Sequence, residues 1–137
     1  MGLLDAKPET LSNIAKESAP YPAATTRSLN VLPTNPQERK DIPLCTGVLD
    51  YFPLALAEVA KISKVGNDQH NPGEPLHWAR GKSTDQADTI VRHLVERGGF
   101  DKDGGRHSAK AAWRILALLQ LEMEEATGAP MSRGSAP

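Results

Sequence analysis

Titratable side chains are concentrated in one short stretch of this 137-residue chain. Arg92 and His93 lie near the end of one predicted helix, and the glycine-containing turn Asp101-Lys102-Asp103-Gly104-Gly105-Arg106-His107 leads into the next. A hydrophobic core does not require imidazoles, carboxylates and cations in such numbers. A site for an anionic or metal-bound ligand does require them, and we therefore interpret this stretch as a candidate site.

Potential cations continue into the last predicted helix. His107, Lys110 and Arg114 follow one another at i, i+3 and i+7, which places them on one helix face. Near a helix N-terminus, free backbone N–H groups and the helix dipole favour a bound anion. We predict that Lys110 and Arg114 contact phosphate groups. The alternative is a row of basic side chains that extend over an alanine-rich core.

The preceding helix contributes two further candidates, Arg92 and His93. Arg92 is predicted to neutralise phosphate, and His93 or His107 is predicted to assist proton transfer as the catalytic pair. The alternative for Arg92 is a solvated helix face on which it pairs with Asp88.

Two carboxylates precede the last helix. Asp101 and Asp103 offer the hard oxygen ligands that Mg²⁺ or Mn²⁺ prefers. As structural residues, Asp103 would cap the helix and Asp101 would stabilise the turn. Both interpretations stay open on the sequence alone.

A long predicted loop, 67–82, carries a tryptophan and two cations. Trp78 could stack on a base or anchor the loop on the core, and Arg80 and Lys82 could contact phosphates. Lys40, which precedes the first predicted helix, could fold back over the same cleft. Loops of this length in small domains are usually functional or disordered.

Three predicted helices position these residues. The first begins at Pro53 and ends near Gly66, and the second begins at Ser83, with Gln86 completing a capping box. The third begins between Asp103 and Ser108 and ends near Glu125. Apolar residues of the second helix recur at helical spacing and predict its buried face: Ala87, Ile90, Val91, Leu94 and Val95. No useful β-alternation occurs, so we predict an all-α fold, a small helical bundle.

The predicted domain organisation is a proline-rich, extended or disordered arm (1–36), a helical nucleotide-binding domain (37–126) and a flexible tail (127–137). The third helix is apolar almost all round, and small domains often gain stability by association. We therefore expect a homo-oligomer in which third helices pack through residues such as Ile115, Leu116, Leu118, Leu119 and Leu121.

Composition excludes several classes of protein. With 16 Lys and Arg against 17 Asp and Glu, the chain lacks the basic excess of a general nucleic-acid binder. Its single cysteine, Cys45, excludes an intrachain disulfide framework and a multi-cysteine zinc site. No apolar run is long enough to predict a membrane span. We expect a cytoplasmic protein without a membrane partner.

From Arg39 to Glu122, the order of motifs resembles a phage and bacterial family of dATP/dGTP diphosphohydrolase domains. The motifs that carry this resemblance are Arg39-Lys40-Asp41-Ile42-Pro43, Glu58-Val59-Ala60-Lys61, a loop with Trp78 and Gly81, Arg92-His93, and Asp101-x-Asp103-Gly104 before His107 and Trp113.

The resemblance implies an all-α fold akin to MazG-type pyrophosphohydrolases, which are usually oligomeric and cut nucleoside triphosphates with Mg²⁺. It also implies metal ligands at Glu58 and at Asp88. In MazG-type enzymes E-x-x-E on one helix and E-x-x-D on the next hold the metals. Here Lys61 stands where the second acid of the first motif would be, and Asp85-x-x-Asp88 is nearest to the second motif.

We predict a phage-type protein that binds a purine (deoxy)nucleotide and, if it is an enzyme, acts as a Mg²⁺- or Mn²⁺-dependent pyrophosphohydrolase in the cytoplasm of an infected bacterium. One alternative is a non-catalytic nucleotide sponge that sequesters a host immune signalling nucleotide. The other is a structural or scaffolding phage protein whose arm lies across its neighbours.

Overall fold

A computed structural model describes residues 31–137 of the chain. Most of them are helical, as the sequence predicts. The elements are α1 (Pro36–Lys40), a π-helical turn (Cys45–Leu49), α2 (Pro53–His70), β1 (Trp78–Ala79), a 3₁₀ turn (Arg80–Lys82), α3 (Gln86–Val95), α4 (His107–Thr127) and β2 (Ser135–Ala136). The all-α prediction is confirmed. The predicted arm lies largely outside the described residues.

Helix α2 begins at Pro53, as predicted, but continues through Gly66 to His70. One glycine costs a helix only about 1 kcal/mol. The buried Asn67 side chain offsets this cost by tying the last turn to the following loop. Its Nδ2 donates to the Glu74 carbonyl (3.1 Å), and its Oδ1 accepts from the backbone N–H of His77 (3.2 Å).

Helix α3 begins at Gln86 rather than at Ser83, and the predicted capping box does not form. The Ser83 hydroxyl donates to Asp85 Oδ1 (3.0 Å) and accepts from Arg114 Nη1 (2.6 Å), so it does not cap the helix. Gln86 Nε2 reaches the carbonyl of Ser83 instead (3.3 Å). These polar contacts join the start of α3 to the middle of α4.

The buried face of α3 agrees with the apolar stripe that the sequence predicts only at Ile90. Gln86, Thr89 and Ile90 are buried, whereas the side chains of Val91 and Val95 are 59% and 74% exposed. The reason is that the polar side of α3 turns towards α4, where it finds hydrogen-bond partners. The apolar side is therefore left without a partner within residues 31–137.

Helix α4 lies at the centre and packs against both α3 and α2. The buried apolar side chains of the described region are small, apart from one isoleucine: Ile90, Ala109, Ala111 and Ala117. Gly128 follows the helix in the left-handed conformation (φ +68°), which glycine adopts without a steric penalty. The core is thin for a domain of this size.

The turn between α3 and α4 is held by backbone hydrogen bonds. Asp101 N donates to the Gly105 carbonyl (2.8 Å), and Gly104 N donates to the Asp101 carbonyl (2.9 Å). Gly104 has φ +82°, so this tight reversal favours glycine. The turn places Asp101 and Asp103 beside the first turns of α4.

Residues after α4, which the sequence predicts as a flexible tail, pair with β1 in the structure. Trp78 lies opposite Ser135 and Ala79 opposite Ala136 in a short parallel pair. The backbone N–H of Ser132 donates a further hydrogen bond to Glu124 Oε1 (2.8 Å). The C-terminal segment thereby covers one side of α4 and of the loop before α3.

Among residues 31–137, no single helix has the length and apolarity of a membrane span. One pair, 36–49 and 53–70, meets those criteria only when its two parts are taken together, and it is bent by 87°.

Candidate functional site

A cavity of about 680 Å³ lies between α2, α4, the loop before α3 and the C-terminal segment. Its walls include six of the residues that the sequence singles out: Trp78, Lys82, His93, Asp103, Lys110 and Arg114. They come from four separate parts of the chain. The fold thus brings together cations, a carboxylate, an imidazole and an indole around one opening.

Lys110 joins the two carboxylates of the turn. Its Nζ lies 2.8 Å from Asp101 Oδ2 and 2.6 Å from Asp103 Oδ2, and its side chain is only 14% exposed. Burial by itself lowers the pKa of Lys110, but its bonds to the two carboxylates outweigh this effect and raise the pKa above its usual value. Lys110 is therefore a fixed cation.

The same bonds control the acidity of the carboxyl groups. The hydrogen bond from Lys110, followed by that from the backbone N–H of Gly105, lowers the pKa of Asp103 to about 2. The Lys110 bond also lowers the pKa of Asp101. Asp103 uses its oxygens for Gly105 and Lys110 and does not cap α4, which answers the capping alternative raised by the sequence.

Arg114 occupies another part of the cavity wall, and its partners are uncharged. Its Nη1 donates to Ser83 Oγ (2.6 Å) and to Gln86 Oε1 (3.2 Å). No carboxylate of residues 31–137 lies within 4.0 Å of its nitrogens. Burial lowers the pKa of Arg114, but a guanidinium remains charged at neutral pH. Arg114 thus presents a positive charge that contacts no counter-ion from the described part of the chain.

Two imidazoles contact each other beside the cavity, and one of them, His93, lines it. The Nδ1 atom of His93 on α3 lies 3.0 Å from the Nδ1 atom of His107 on α4. His107 is buried, and its Nε2 faces Glu96 Oε2 at 3.6 Å. The pKa of His93 is lowered mainly by burial. The electrostatic effects of His107 and Lys110 lower it further.

The two tryptophans of the described region form an aromatic wall. Trp78 and Trp113 make an edge-to-face contact with ring centroids 5.7 Å apart, and Trp113 Nε1 donates to Ser63 Oγ (2.8 Å). Both rings line the cavity. Trp78 therefore anchors the loop and also offers aromatic surface to a ligand, so its two predicted roles are compatible.

Arg80 does not point into the cavity. Its guanidinium forms a two-pronged ion pair with Glu124, donates to Ser132 Oγ (3.0 Å) and lies 4.3 Å from the centre of the Trp78 ring. With a carboxylate already bound in this way, Arg80 is not available to bind phosphate, contrary to the sequence-based expectation.

Six other predicted residues also lie outside the cavity lining. Asp101 and His107 nevertheless contact the lining residues Lys110 and His93. The other four are Arg92, Glu58, Asp88 and Lys40. Arg92 is exposed and binds Asp85 Oδ2 (2.9 Å) and Thr89 on its own helix. Glu58 binds Lys61 (2.6 Å). Asp88 and Lys40 lie on exposed surfaces of α3 and α1. These residues occupy helix faces that turn away from the opening, so the structure does not place them with the site.

The sequence model of the family described as dATP/dGTP diphosphohydrolase, N-terminal, matches residues 35–129, which is most of the chain. The chain belongs to this family. Neither the curated proteins nor the solved structures contain a significant match to it.

The diphosphohydrolase family suggests a divalent metal, so the carboxylates can be tested for a magnesium site. Asp101 and Asp103 share the partner Lys110, whereas Glu58 lies on α2, where it binds Lys61, and Asp88 lies on the exposed surface of α3. Of residues 31–137, only His93, Asp101 and His107 bring three possible ligand atoms within 4.8 Å of one another. Mg²⁺ prefers oxygen ligands. The carboxylates predicted as alternative metal ligands are therefore not brought together in one group within these residues, and the group that does form contains two imidazoles, which are not the ligands that Mg²⁺ prefers.

Several cavity residues of this diphosphohydrolase-family chain are not predicted from its sequence. Asn67 and Gln69 line the cavity from the end of α2, and Ser83 does so from the loop before α3. Gln69 Nε2 donates to Asp103 Oδ2 (3.3 Å). The polar run Asn67-Asp68-Gln69-His70-Asn71 is the signal that could have indicated them, because two of its amides are buried.

Proposed function

We propose that the chain binds a purine (deoxy)nucleoside triphosphate in this cavity and hydrolyses it to the monophosphate and pyrophosphate. Arg114 is the observation that carries the proposal. It places a charged guanidinium at the cavity wall, where its hydrogen-bond partners within residues 31–137 are neutral, and a partly buried cation of this kind is stabilised by an anionic ligand. Membership of the dATP/dGTP diphosphohydrolase family supports a nucleotide as that anion.

The other walls suit the remaining parts of a nucleotide. Lys82 Nζ contacts the His70 carbonyl (3.3 Å) and adds a second cation without a carboxylate partner within residues 31–137. Trp78 and Trp113 offer aromatic surface on which a base can pack. The volume, about 680 Å³, is within the range of small-molecule sites. His93 lines the cavity and contacts His107, which supports a role of this pair in proton transfer.

A binding experiment tests the role of Arg114. We expect Arg114→Met to weaken dGTP binding at least tenfold, because it removes the cation that lacks a carboxylate partner. Arg92→Met is the matched control, since it removes the same guanidinium from an exposed face and should bind as the wild type does. Calorimetry in EDTA measures both. Equal affinities of the two variants would contradict the proposed site.

Hydrolysis is tested separately. Purified chain is incubated with dATP or dGTP and with Mg²⁺, Mn²⁺ or Zn²⁺, and the products are separated by ion-exchange chromatography. Monophosphate and pyrophosphate in equal amounts are expected. Recovery of unmodified nucleotide by heat release would favour the nucleotide sponge instead, a candidate that the unassembled carboxylate set supports.

We further propose that copies of the chain associate through apolar side chains of α3 and α4. Val95, Ile115 and Leu119 are 74%, 47% and 49% exposed, while the core of the described region is thin. Exposed apolar surface of this extent is typical of interaction sites.

Light scattering of the full chain should give at least twice the mass of one chain. Leu119→Asp should reduce that mass, since it places a charge within the apolar surface of α4. Ser108→Asp, on an exposed position of the same helix, should leave it unchanged. A wild-type mass equal to that of one chain at micromolar concentration would exclude the association.

A further inference from the structure

We propose that His93, His107 and Asp101 form a binding site for one divalent transition-metal ion of the first row, such as Zn²⁺, with Mn²⁺ bound more weakly. A ring nitrogen of each histidine and a carboxylate oxygen of Asp101 lie within 4.8 Å of one another. This inference is independent of the proposed nucleotide, and it replaces the carboxylate magnesium site that the structure does not assemble.

The distance between the imidazoles is the first argument. Two neutral rings whose Nδ1 atoms lie 3.0 Å apart need one proton between them, because two facing lone pairs repel each other. A metal ion can take the place of that proton. Two nitrogens bound to one ion at about 2.0–2.1 Å are separated by roughly 2.9–3.4 Å. The rings are therefore already spaced as ligands of one ion.

The surroundings of the two rings are the second argument. Glu96 Oε2 lies 3.6 Å from His107 Nε2, on the side of the ring opposite His93. A carboxylate in that position favours a proton on Nε2 and leaves the Nδ1 lone pair free for a metal. Lys110 holds the Asp101 carboxylate at 2.8 Å and fixes its orientation. Two of the three proposed ligands, His107 and Asp101, therefore have a group that positions them.

The donor types select the ion. Imidazole nitrogen with one carboxylate suits Zn²⁺ and its first-row neighbours, whereas Mg²⁺ takes oxygen ligands. Three protein ligands leave coordination positions open. Because His93 also lines the cavity, an ion held by this group would lie close to the cavity and could supply a ligand position for a phosphate oxygen or a water molecule.

Calorimetric titration of the EDTA-treated full chain with ZnCl₂ tests this site without any nucleotide. We expect one Zn²⁺ per chain, weaker binding of Mn²⁺ and no heat from Mg²⁺. His93→Ala should weaken Zn²⁺ binding at least 100-fold. His70→Ala is the matched control, because it removes an exposed histidine outside the cluster, and it should bind as the wild type does.

Substitution of the buried His107 could unfold the chain, so a second measurement uses the unaltered protein. In ¹⁵N-histidine spectra, Zn²⁺ should shift the ring signals of His93 and His107 and leave those of His70 and His77 in place. Glu96→Gln should weaken the binding of Zn²⁺ about tenfold, because the amide no longer orients the His107 ring as a carboxylate does. The site is refuted if no stoichiometric binding occurs, if His93→Ala and His70→Ala lose affinity equally, or if only His70 and His77 respond. If the unaltered chain binds Zn²⁺ but does not bind nucleotide, the proposed function is contradicted and the metal site is not.

Discussion

Replacing Lys110 with methionine is expected to lower the free energy of unfolding by about 3 kcal/mol. Lys110 and Asp103 are 14% and 15% exposed, and Asp101 is 30% exposed. Without the ammonium group, two partly buried carboxylates would repel each other with no cation between them. At roughly 4–8 °C per kcal/mol for a domain of this size, the melting temperature should fall by about 12–24 °C.

Thermal unfolding followed by circular dichroism in EDTA measures this effect. Lys102→Met removes an exposed lysine from the same turn and should change the melting temperature little. The triple variant Asp101→Asn, Asp103→Asn, Lys110→Met should recover much of the loss, since it leaves no unpaired charge. A melting temperature for Lys110→Met equal to that of Lys102→Met would show that the cluster does not stabilise the fold.

The second large effect concerns the ion pair between Arg80 and Glu124. The hydrogen bond from Arg80 is the main cause that lowers the pKa of Glu124, from 4.5 to about 2. Since the folded-state value is the lower one, the unfolded chain binds more protons between these two pH values. The stabilisation is therefore complete above about pH 4.5 and is lost as the pH falls towards 2.

Glu124→Gln should consequently cost about 3 kcal/mol of unfolding free energy at pH 7, because both partners are nearly buried, with 14% and 12% of their side chains exposed. It should also make the free energy of unfolding fall less steeply between pH 4.5 and 2. Part of the fall remains, because the pKa values of Asp85 and Asp103 are also lowered to about 2. Urea unfolding at several pH values provides the measurement. Glu125→Gln, at the exposed neighbouring position, should leave both quantities unchanged, and identical behaviour of the two variants would disprove the role of the pair.

The helices could be predicted because their signals are local. Proline at the start of α2 and the glycines around the turn before α4 act through backbone conformation, which depends little on the rest of the chain. The orientation of α3 could not be predicted in this way. Its buried face depends on Arg114, which contacts Ser83 and Gln86 from a distant helix. Periodicity identifies an apolar side but not the element that covers it.

In the candidate site, too, features set by local sequence could be predicted and features set by long-range contacts could not. The approach of His93 to His107 follows from a short turn between two helices, and the sequence anticipates it. The sequence predicts that Arg80 binds phosphate. It does not reveal the ion pair with Glu124, since that residue is distant from Arg80 along the chain. The β1–β2 pair was not expected either, since two-residue strands leave no alternating pattern to detect.

The aromatic wall has a practical consequence for the study of this chain. The sequence contains two tryptophans, and both of them, Trp78 and Trp113, line the cavity. All indole fluorescence of the polypeptide therefore originates beside the opening, and Arg80 lies against one of the two emitters. Emission intensity and wavelength thus act as a built-in reporter of what enters this space, without any attached dye.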